Sequence, residues 1–404
     1  MQYLFTERAH LMCPHMCFGI VMAVSRPYDG ARIRDTMELL SAAHPFLKAL
    51  LGYEAETNAY YYRVTDRTTI ELLLKDREID AADSPEVMGE YRRLTAKNWD
   101  LFEEGMLKAA AWRMGKGTCF LFVFHHLLAD GRGALELAEE IAACYAEGKK
   151  PVPAPERLIV SAKDLPDGSR LPWISRILVD RANRAWARER RFVSWQEYHA
   201  FANEFLEKDA VTHAVVRIGP EELDRIVQQC HDHDATVNDW LLAKMMLEEN
   251  TEKIIMACDL RDRLTVYRKG ALGNYSTAFG IEVKAKEKDP FALAEKIHAR
   301  VRRKLERPSE LYLVLQCYAS LDPGIIDAAM ISCRGGFPSK TGTFVGSMFF
   351  GFAKGDGCSV TNLGRIDNKD ISEAFFIPPA SPAIRKTRGV LTVNGTMTVC
   401  EAAR

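Results

Sequence analysis

The sequence FLFVFHHLLADGRG, residues 120–133, carries an apolar run into two adjacent histidines, His125 and His126. Asp130 follows the second histidine by four residues, and Gly131 comes next. The apolar residues before the pair predict a buried β-strand that ends near the histidines. The two imidazoles are therefore expected at the edge of a hydrophobic core.

Only one of these two imidazoles can face a given ligand, because successive side chains of a strand point to opposite faces. An imidazole whose pKa is near neutral can take a proton from a reacting group, so a ring at the rim of a cleft suits general-base catalysis. A lone buried histidine is more often a packing residue. A doubled histidine with Asp and Gly at this offset favours catalysis over packing.

Composition limits the classes of protein to consider. The 404 residues suit two lobes, and 47% hydrophobic with 27% charged residues provides ample core without widespread disorder. Lys and Arg number 54 against 55 Asp and Glu, which argues against a general nucleic-acid binder. The ten cysteines lie mostly in apolar runs, typical of reduced core cysteines. With no signal peptide and no membrane span expected, we predict a cytoplasmic protein.

Strand and helix patterns alternate in both halves of the chain. Predicted strands are 17–25, 59–65, 68–76, 106–114, 119–126, 253–261, 277–285 and 357–367, with AVVRIG, GVLTV and GTMTVC. Predicted helices are 31–43, 84–99, 134–148 and 289–306, with PEELDRIVQQCHDH and TVNDWLLAKMMLEE. We expect 59–65 and 68–76 to pair, and a hairpin to turn at Asn394-Gly395. The class is α/β.

A polar, proline-rich segment at 149–172 is typical of a linker, and a basic segment at 174–195 follows it. One helical stripe there contains Arg181, Arg184, Arg188 and Arg191, beside a face with Leu178, Ala182 and Trp186. Such a helix can contact anionic lipid, the phosphates of CoA or an acidic carrier protein. A solvated helix covering the crossover between lobes is the favoured interpretation.

The motif His125-His126-Leu-Leu-Ala-Asp130-Gly131 resembles the HHxxxDG signature of the CoA-dependent acyltransferase superfamily. That group includes chloramphenicol acetyltransferase, nonribosomal peptide condensation domains and wax ester synthase/diacylglycerol acyltransferases. Further segments similar to family motifs are HPFLKALL (44–51), ATVNDWLLAKM (235–245), CDLRDRLTVYRKGALGNYSTAF (258–279) and VTNLGRID (360–367). They follow the family's order over most of the chain.

The resemblance implies two chloramphenicol acetyltransferase-like lobes in a V, with a tunnel at their interface. Residues 1–158 would form the lobe with the motif, 159–200 a linker and crossover helix, and 201–404 the C-terminal lobe. A donor thioester would enter by one mouth and the acceptor nucleophile by the other.

The resemblance also implies roles for the site residues. His126 would be the general base, and Asp130 a structural member of the motif paired with Arg261. Gly131 would leave room for the pantetheine arm or the acceptor, and His125 would lie on the substrate side. Four polar residues of the late motifs could line the tunnel and bind the tetrahedral oxyanion, or equally stabilise a turn or strand end: Asn274, Ser276, Thr361 and Asn362. No metal and no bound cofactor are expected.

These inferences predict an acyltransferase that moves an acyl group from an acyl-CoA or acyl-phosphopantetheine thioester to a hydroxyl or amine, with a carrier protein as a possible partner. The DFGWG motif of plant acyltransferases is absent, which disfavours that branch. One alternative is a freestanding condensation enzyme joining carrier-bound partners, since the sequence shows no carrier or adenylation segment. A binding scaffold without activity is the other.

Overall fold

The computed structural model describes residues 2–189, 191–284 and 287–404. The strands are β1 Gln2–Tyr3, β2 Cys17–Val24, β3 Ala49–Glu54, β4 Ala59–Val64, β5 Glu71–Glu78, β6 Leu107–Met114, β7 Gly117–His125, β8 Thr212–Ile218, β9 Lys253–Asp259, β10 Ser276–Glu282, β11 Gly357–Ile366, β12 Ile371–Ile377, β13 Ile384–Val393 and β14 Thr396–Ala403. The helices are α1 Arg8–Leu11, α2 Gly30–Ala43, α3 Pro85–Thr95, α4 Gly131–Glu147, α5 Trp173–Glu189, α6 Trp195–Lys208, α7 Pro220–Asp232, α8 Val237–Glu248, α9 Pro290–Leu305, α10 Pro308–Leu311, α11 Leu313–Ser320, α12 Pro323–Cys333 and α13 Lys340–Met348.

The N-terminal sheet is centred on β7 and has the strand order β12-β2-β7-β6-β5. β7 pairs antiparallel with β2, and with β6 through a hairpin at Gly115-Lys116. Side chains on both faces of β7 are buried, as its continuous apolar run predicts. The strands predicted at 17–25, 106–114 and 119–126 are confirmed, with His126 one residue beyond the end of β7.

The predicted pairing of 59–65 with 68–76 is wrong, although both segments contain strands. β4 pairs with β1 and β3 in a separate three-stranded sheet, whereas β5 runs parallel to β6 in the N-terminal sheet. The sequence analysis did not assign β3, which lies just before β4 and forms a hairpin with it from Glu54↔Ala59 to Ala49↔Val64. Because β3 occupies this edge of β4, the following strand pairs elsewhere.

The C-terminal sheet has the strand order β10-β9-β11-β13-β14-β8. β13 and β14 pair antiparallel around Asn394-Gly395, as predicted. The strand expected at 277–285 runs as β10 from Ser276 to Glu282, and position 285 lies outside the described residues. β12 belongs to the segment assigned to the C-terminal lobe but pairs with β2 in the N-terminal sheet. The two lobes therefore share one crossing strand.

Several helices begin or end close to the predicted positions, and capping interactions account for these ends. Ser84 caps α3 by accepting from the Val87 backbone N–H, and Thr236 and Asp239 form the capping box of α8. Gly148 ends α4 with a φ of 73°. Residues 308–348 form the helices α10 to α13, which the sequence analysis left unassigned.

The basic segment at 174–195 is not one continuous helix. α5 ends at Glu189, position 190 lies outside the described residues, and α6 begins after the capping residue Ser194. Ala182 and Trp186 are buried, as predicted for the apolar face, but Leu178 is only half-buried and its neighbour Val179 is buried. In the part of the chain that the structure describes, no helix has the length and apolar character needed to span a membrane.

The hairpin turn provides a test of the C-terminal sheet. Asn394 and Gly395 have φ values of 48° and 85°, as a type I′ turn requires. Gly395→Ala should lower the free energy of unfolding by about 1 kcal/mol, because a Cβ disfavours positive φ. The added Cβ itself would meet Pro220 only at an ordinary 3.7 Å.

The matched control is Gly89→Ala, in the interior of α3, where an added Cβ has no neighbouring atom within 4 Å. This change should raise the free energy of unfolding by roughly 0.5–1 kcal/mol. Denaturant titration measures both variants. If both alanine variants changed the free energy of unfolding equally, the assignment of a type I′ turn at Asn394-Gly395 would be contradicted.

Candidate active site

The histidine motif lies at the passage from β7 into α4. The His126 backbone N–H donates to the Met16 carbonyl, and the Leu128 N–H donates to the His125 carbonyl, which closes a tight turn after the strand. Asp130 is the N-cap of α4, and its side chain accepts from the Gly133 backbone N–H at 2.9 Å. The four-residue spacing between His126 and Asp130 is therefore set by the turn that connects β7 to α4.

Asn274 holds His126 through two hydrogen bonds. Its Nδ2 donates to the His126 carbonyl at 2.8 Å, which fixes Oδ1 as the atom that lies 2.8 Å from His126 Nδ1. Because that amide oxygen can only accept, Nδ1 must carry the proton. Nε2 of the neutral ring is then the basic nitrogen, and no described residue forms a hydrogen bond with it.

Two further rings enclose the His126 imidazole. His10 stacks on it with ring centroids 4.2 Å apart, and Phe18 packs edge-on at 5.3 Å. Burial lowers the pKa of His126 below its ordinary value, although the Asp130 carboxylate and the hydrogen bond that Nδ1–H donates to Asn274 oppose this shift. The ring is therefore neutral at neutral pH. Sequence reasoning missed His10, because no motif links the short helix α1 to the strand end.

Asp130 and Arg261 form a buried ion pair between the two halves of the chain. Arg261 donates from Nη2 to Oδ1 at 2.7 Å and from Nη1 to Oδ2 at 3.1 Å. The Tyr275 backbone N–H donates to Oδ2 at 2.8 Å. Burial alone would raise the pKa of Asp130, but Arg261 and the backbone donors outweigh it, so the pKa is lowered. The contact expected between these two residues is present.

His125 faces away from His126 and lies in different surroundings. It is buried, and its ring lies 6.2 Å from that of Trp99. Burial, with the nearby His126, lowers the pKa of His125 to about 3. His125, His15 and His213 line a cavity of about 300 Å³ that His126 does not line. The structure therefore does not bring His125 to the side on which His126 is accessible, because neighbouring strand residues point to opposite faces.

Three adjoining cavities surround the accessible side of His126. The central cavity, about 220 Å³, is lined by His126, Asn274, Ser276 and Thr361 among others. It shares Ser276 and Thr361 with a cavity of about 570 Å³ beside the start of α4. It also shares His10 with a cavity of about 740 Å³. The three cavities thus have wall residues in common around His126, and the tunnel itself stays a prediction.

The remaining candidate residues lie in the cavity beside the start of α4 or at its edge. Asn362 lines it, but its Oδ1 accepts from the Gly364 backbone N–H and so stabilises a turn. Gly131 also lines it, yet an added Cβ would come within 2.7 Å of Leu363 Cδ2. The glycine thus permits close packing of β11 against α4.

Hydroxyl groups are the uncommitted polar groups of the central cavity. The side chains of Ser276 and Thr361 form no hydrogen bond with any described residue. Thr6 and Thr277 also line the cavity, and their buried Oγ1 atoms lack a partner in the described parts of the chain. Asn274, in contrast, is already bound to His126. Sequence reasoning missed Thr6, because no recognised motif contains it.

Comparison with known proteins identifies the fold. The chain superposes on the epimerization domain from the third module of tyrocidine synthetase B with a TM-score of 0.57 and 14% identity, covering 99% of this chain and 87% of that one. For the condensation domain of the Monacolin K polyketide synthase the TM-score is 0.58, with 11% identity and coverages of 100% and 92%. The fold is that of condensation and epimerization domains. It consists of two chloramphenicol acetyltransferase-like lobes.

Two further relatives extend the comparison. Polyketide synthase associated protein 5 from Mycobacterium tuberculosis gives a TM-score of 0.58 at 14% identity, covering 100% of this chain and 92% of that one. Surfactin synthase subunit 1 from Bacillus subtilis (strain 168) is 26% identical over 151 residues, which is 37% of this chain and 4% of that subunit. The chain thus spans only a small part of that curated relative. No family model matches the sequence.

Removal of Arg261 should destabilise the fold. Arg261→Ala leaves a buried carboxylate without its counter-ion, so the free energy of unfolding should fall by about 3–5 kcal/mol. Asp130→Ala together with Arg261→Ala should cost less than the sum of the two single changes, since neither charge then stays buried alone. A double-mutant cycle by denaturant unfolding measures the coupling. Strict additivity would show that the pair contributes nothing specific.

The role of the two hydrogen bonds between Asn274 and His126 can be tested by measuring reaction rates and their dependence on pH. Asn274→Ala frees the His126 ring and its tautomer, so kcat of any reaction that uses Nε2 as its base should fall on the order of tenfold to a hundredfold, with a smaller change in KM. Such a reaction needs the neutral ring. The rate should therefore rise with pH through an apparent pKa below 6.5 and be constant at neutral pH. If the rate instead rose with pH through an apparent pKa above 6.5, the assignment of His126 as the base would be contradicted.

Proposed function

We propose that this protein is an acyltransferase in which His126 is the general base, transferring an acyl group from a CoA or carrier-protein thioester to a hydroxyl or amine acceptor. The observation that carries the proposal is a neutral imidazole whose tautomer is fixed by Asn274, with Nε2 uncommitted beside the central cavity. The likeness of fold to condensation domains supports the same class of reaction.

The chemistry follows from the position of this nitrogen. An acceptor O–H or N–H in the central cavity gives its proton to Nε2 while its oxygen or nitrogen attacks the thioester carbonyl. The carbonyl oxygen becomes an oxyanion, for which the hydroxyls of Ser276 and Thr361 are the proposed donors. Collapse of the intermediate breaks the C–S bond, and the imidazolium returns its proton to the departing thiolate. No acyl-enzyme is needed, because the thioester is already activated.

Asp130 acts at a distance in this scheme. Both of its oxygens are bound by Arg261 and backbone N–H groups, so it is a positioning residue and does not exchange protons with a substrate. We assign to it the placement of the turn that carries His126. Its charge also opposes the lowering of the His126 pKa by burial.

Amide formation between two carrier-bound partners is the second candidate reaction. It is favoured by the local sequence match to surfactin synthase subunit 1 and by the condensation-domain fold. Acyl-CoA and an acylated carrier protein, each supplied once with a free acceptor and once with an acceptor bound to a second carrier protein, distinguish the two reactions. Product with the free acceptor assigns an ordinary acyltransferase, and product only with the carrier-bound acceptor assigns condensation.

His126→Ala tests whether the protein is an enzyme or a scaffold. General-base removal should lower the transfer rate by about a hundredfold or more, measured by mass spectrometry of products from a panel of thioesters and acceptors. His231→Ala, on the exposed face of α7, is the matched control and should retain full activity. If His126→Ala keeps the activity of the unchanged protein, the proposed mechanism is wrong.

A further inference from the structure

The cavity of about 300 Å³ lined by His125, His15 and His213 lies on the side of β7 opposite to His126. We name it the His125 cavity. The loop before β2, the end of α3, the segment after α6 and strand β8 also contribute to its wall. Cys13 and Met16 line both this cavity and the one of about 740 Å³, so the two are neighbours. The acyl transfer proposed above uses no part of the His125 cavity.

His125 has an unused hydrogen-bond donor in this cavity. The Leu127 backbone N–H donates to His125 Nδ1 at 3.3 Å, so Nδ1 is the acceptor of the ring. Because burial keeps the ring neutral, with a pKa of about 3, its proton lies on Nε2. The side chain is 5% exposed, and Nε2 forms no hydrogen bond with any described residue. A buried donor without a partner is costly, which points to a ligand that accepts from it.

His213 is a second histidine of the cavity with an unsatisfied nitrogen. Its buried Nδ1 has no hydrogen-bond partner in the described parts of the chain, and its ring packs edge-on against Tyr91 with centroids 5.2 Å apart. Burial, together with the charge of Arg92, lowers the pKa of His213 to about 4, so this ring is neutral as well. Two neutral imidazoles therefore offer the cavity nitrogen atoms that no described side chain uses.

Positive charge at the cavity is not neutralised within the protein. Asp209 is the one carboxylate among the described lining residues, and its Oδ2 lies 2.8 Å from His15 Nε2 and 2.7 Å from Arg404 Nε. Arg92 and Lys97 also line the cavity, are exposed, and form no ion pair in the part of the chain that the structure describes. An anion that enters therefore meets two cations without a counter-ion.

The remaining wall of the cavity is largely apolar and includes Met16, Trp99, Leu206 and Val211. A volume of about 300 Å³ holds one substituted ring or a compound of similar size. The free polar groups are mainly donors, whereas a carboxylate only accepts hydrogen bonds. The lining is thus suited to a small, mostly apolar acid rather than to a cation or a sugar.

We propose that the His125 cavity binds a small apolar carboxylate that has a second hydrogen-bond acceptor. Arg92 and Lys97 bind the carboxylate, and His125 Nε2–H donates to the second acceptor. The inference goes beyond the proposed function, because this ligand is not one of the reactants of acyl transfer. It assigns a role to the first histidine of the motif, whose ring points away from the proposed base.

Three related compounds test the two contacts. The compound 4-acetylbenzoate has both a carboxylate and a ketone acceptor, 4-ethylbenzoate lacks the acceptor, and 4-acetylbenzamide lacks the charge. Calorimetric titration of the full chain should show that 4-acetylbenzoate binds about tenfold more tightly than either of the others. If none of them binds, or if all three bind equally, the cavity holds only solvent and the proposal is wrong.

Arg92→Gln combined with Lys97→Gln should remove the preference for 4-acetylbenzoate over 4-acetylbenzamide. Both side chains are exposed, so the thermal midpoint should not change. Arg93→Gln is the matched control, since Arg93 is the next residue of α3 but pairs with Glu90 at 2.6 Å and does not line the cavity. A preference that persists in the double variant, or that is lost equally in the Arg93 variant, would contradict the assigned carboxylate site.

His125→Phe keeps a ring but removes the donor, so it should bind 4-acetylbenzoate and 4-ethylbenzoate equally. If this variant does not fold, the ¹⁵N resonance of His125 Nε2 in the unchanged protein gives the same test. It should shift more with 4-acetylbenzoate than with 4-ethylbenzoate, and equal shifts would exclude His125 from the contact. His126→Ala should bind all three compounds like the unchanged protein. Loss of binding in that variant would place the compounds in the central cavity, whereas loss of acyl transfer alone concerns only the proposed function.

Discussion

The buried pair of Asp130 and Arg261 is the interaction on which the site depends. Taking a carboxylate and a guanidinium out of water is costly, and it is offset here because each Asp130 oxygen receives one bond from Arg261 and one from a backbone N–H. One of those backbone donors belongs to Tyr275, the neighbour of Asn274. The same carboxylate therefore fixes the start of α4 and the segment that holds the His126 ring.

The ion pair explains why the residue three positions after Asp130 is a glycine. A Cβ on Gly133 would lie 2.9 Å from Arg261 Nη2 and would push the guanidinium off the carboxylate. The lack of a side chain at position 133 thus lets Arg261 approach Asp130. The ion pair in turn holds the segments that position His126. Polar atoms from both halves of the chain thus fix the position of the His126 imidazole.

Sequence alone predicted the local parts of this site well, because they depend on residues close together in the chain. The strand end near the histidines and the opposite directions of the two imidazoles follow from residues 120–133, and the helix over 134–148 follows from the pattern just after them. Arg261 was reachable only through the family resemblance. His10, Thr6 and the crossing strand β12 were missed, because their contacts with the site join segments more than a hundred residues apart. The pairing of β4 was wrong for a local reason, because the neighbouring strand β3 was not recognised and occupies that edge of β4.

An amide rather than a carboxylate holds the His126 ring, and this difference has a chemical consequence. A carboxylate on Nδ1 would favour the imidazolium and raise the pKa of His126, whereas the neutral Asn274 fixes the same tautomer with a weaker effect. Burial then keeps the base unprotonated at neutral pH. Asp130 is near enough to favour an imidazolium at His126, yet its charge is largely balanced by Arg261. In the reaction that we propose, the ring can therefore gain a proton during attack and return it to the departing thiolate.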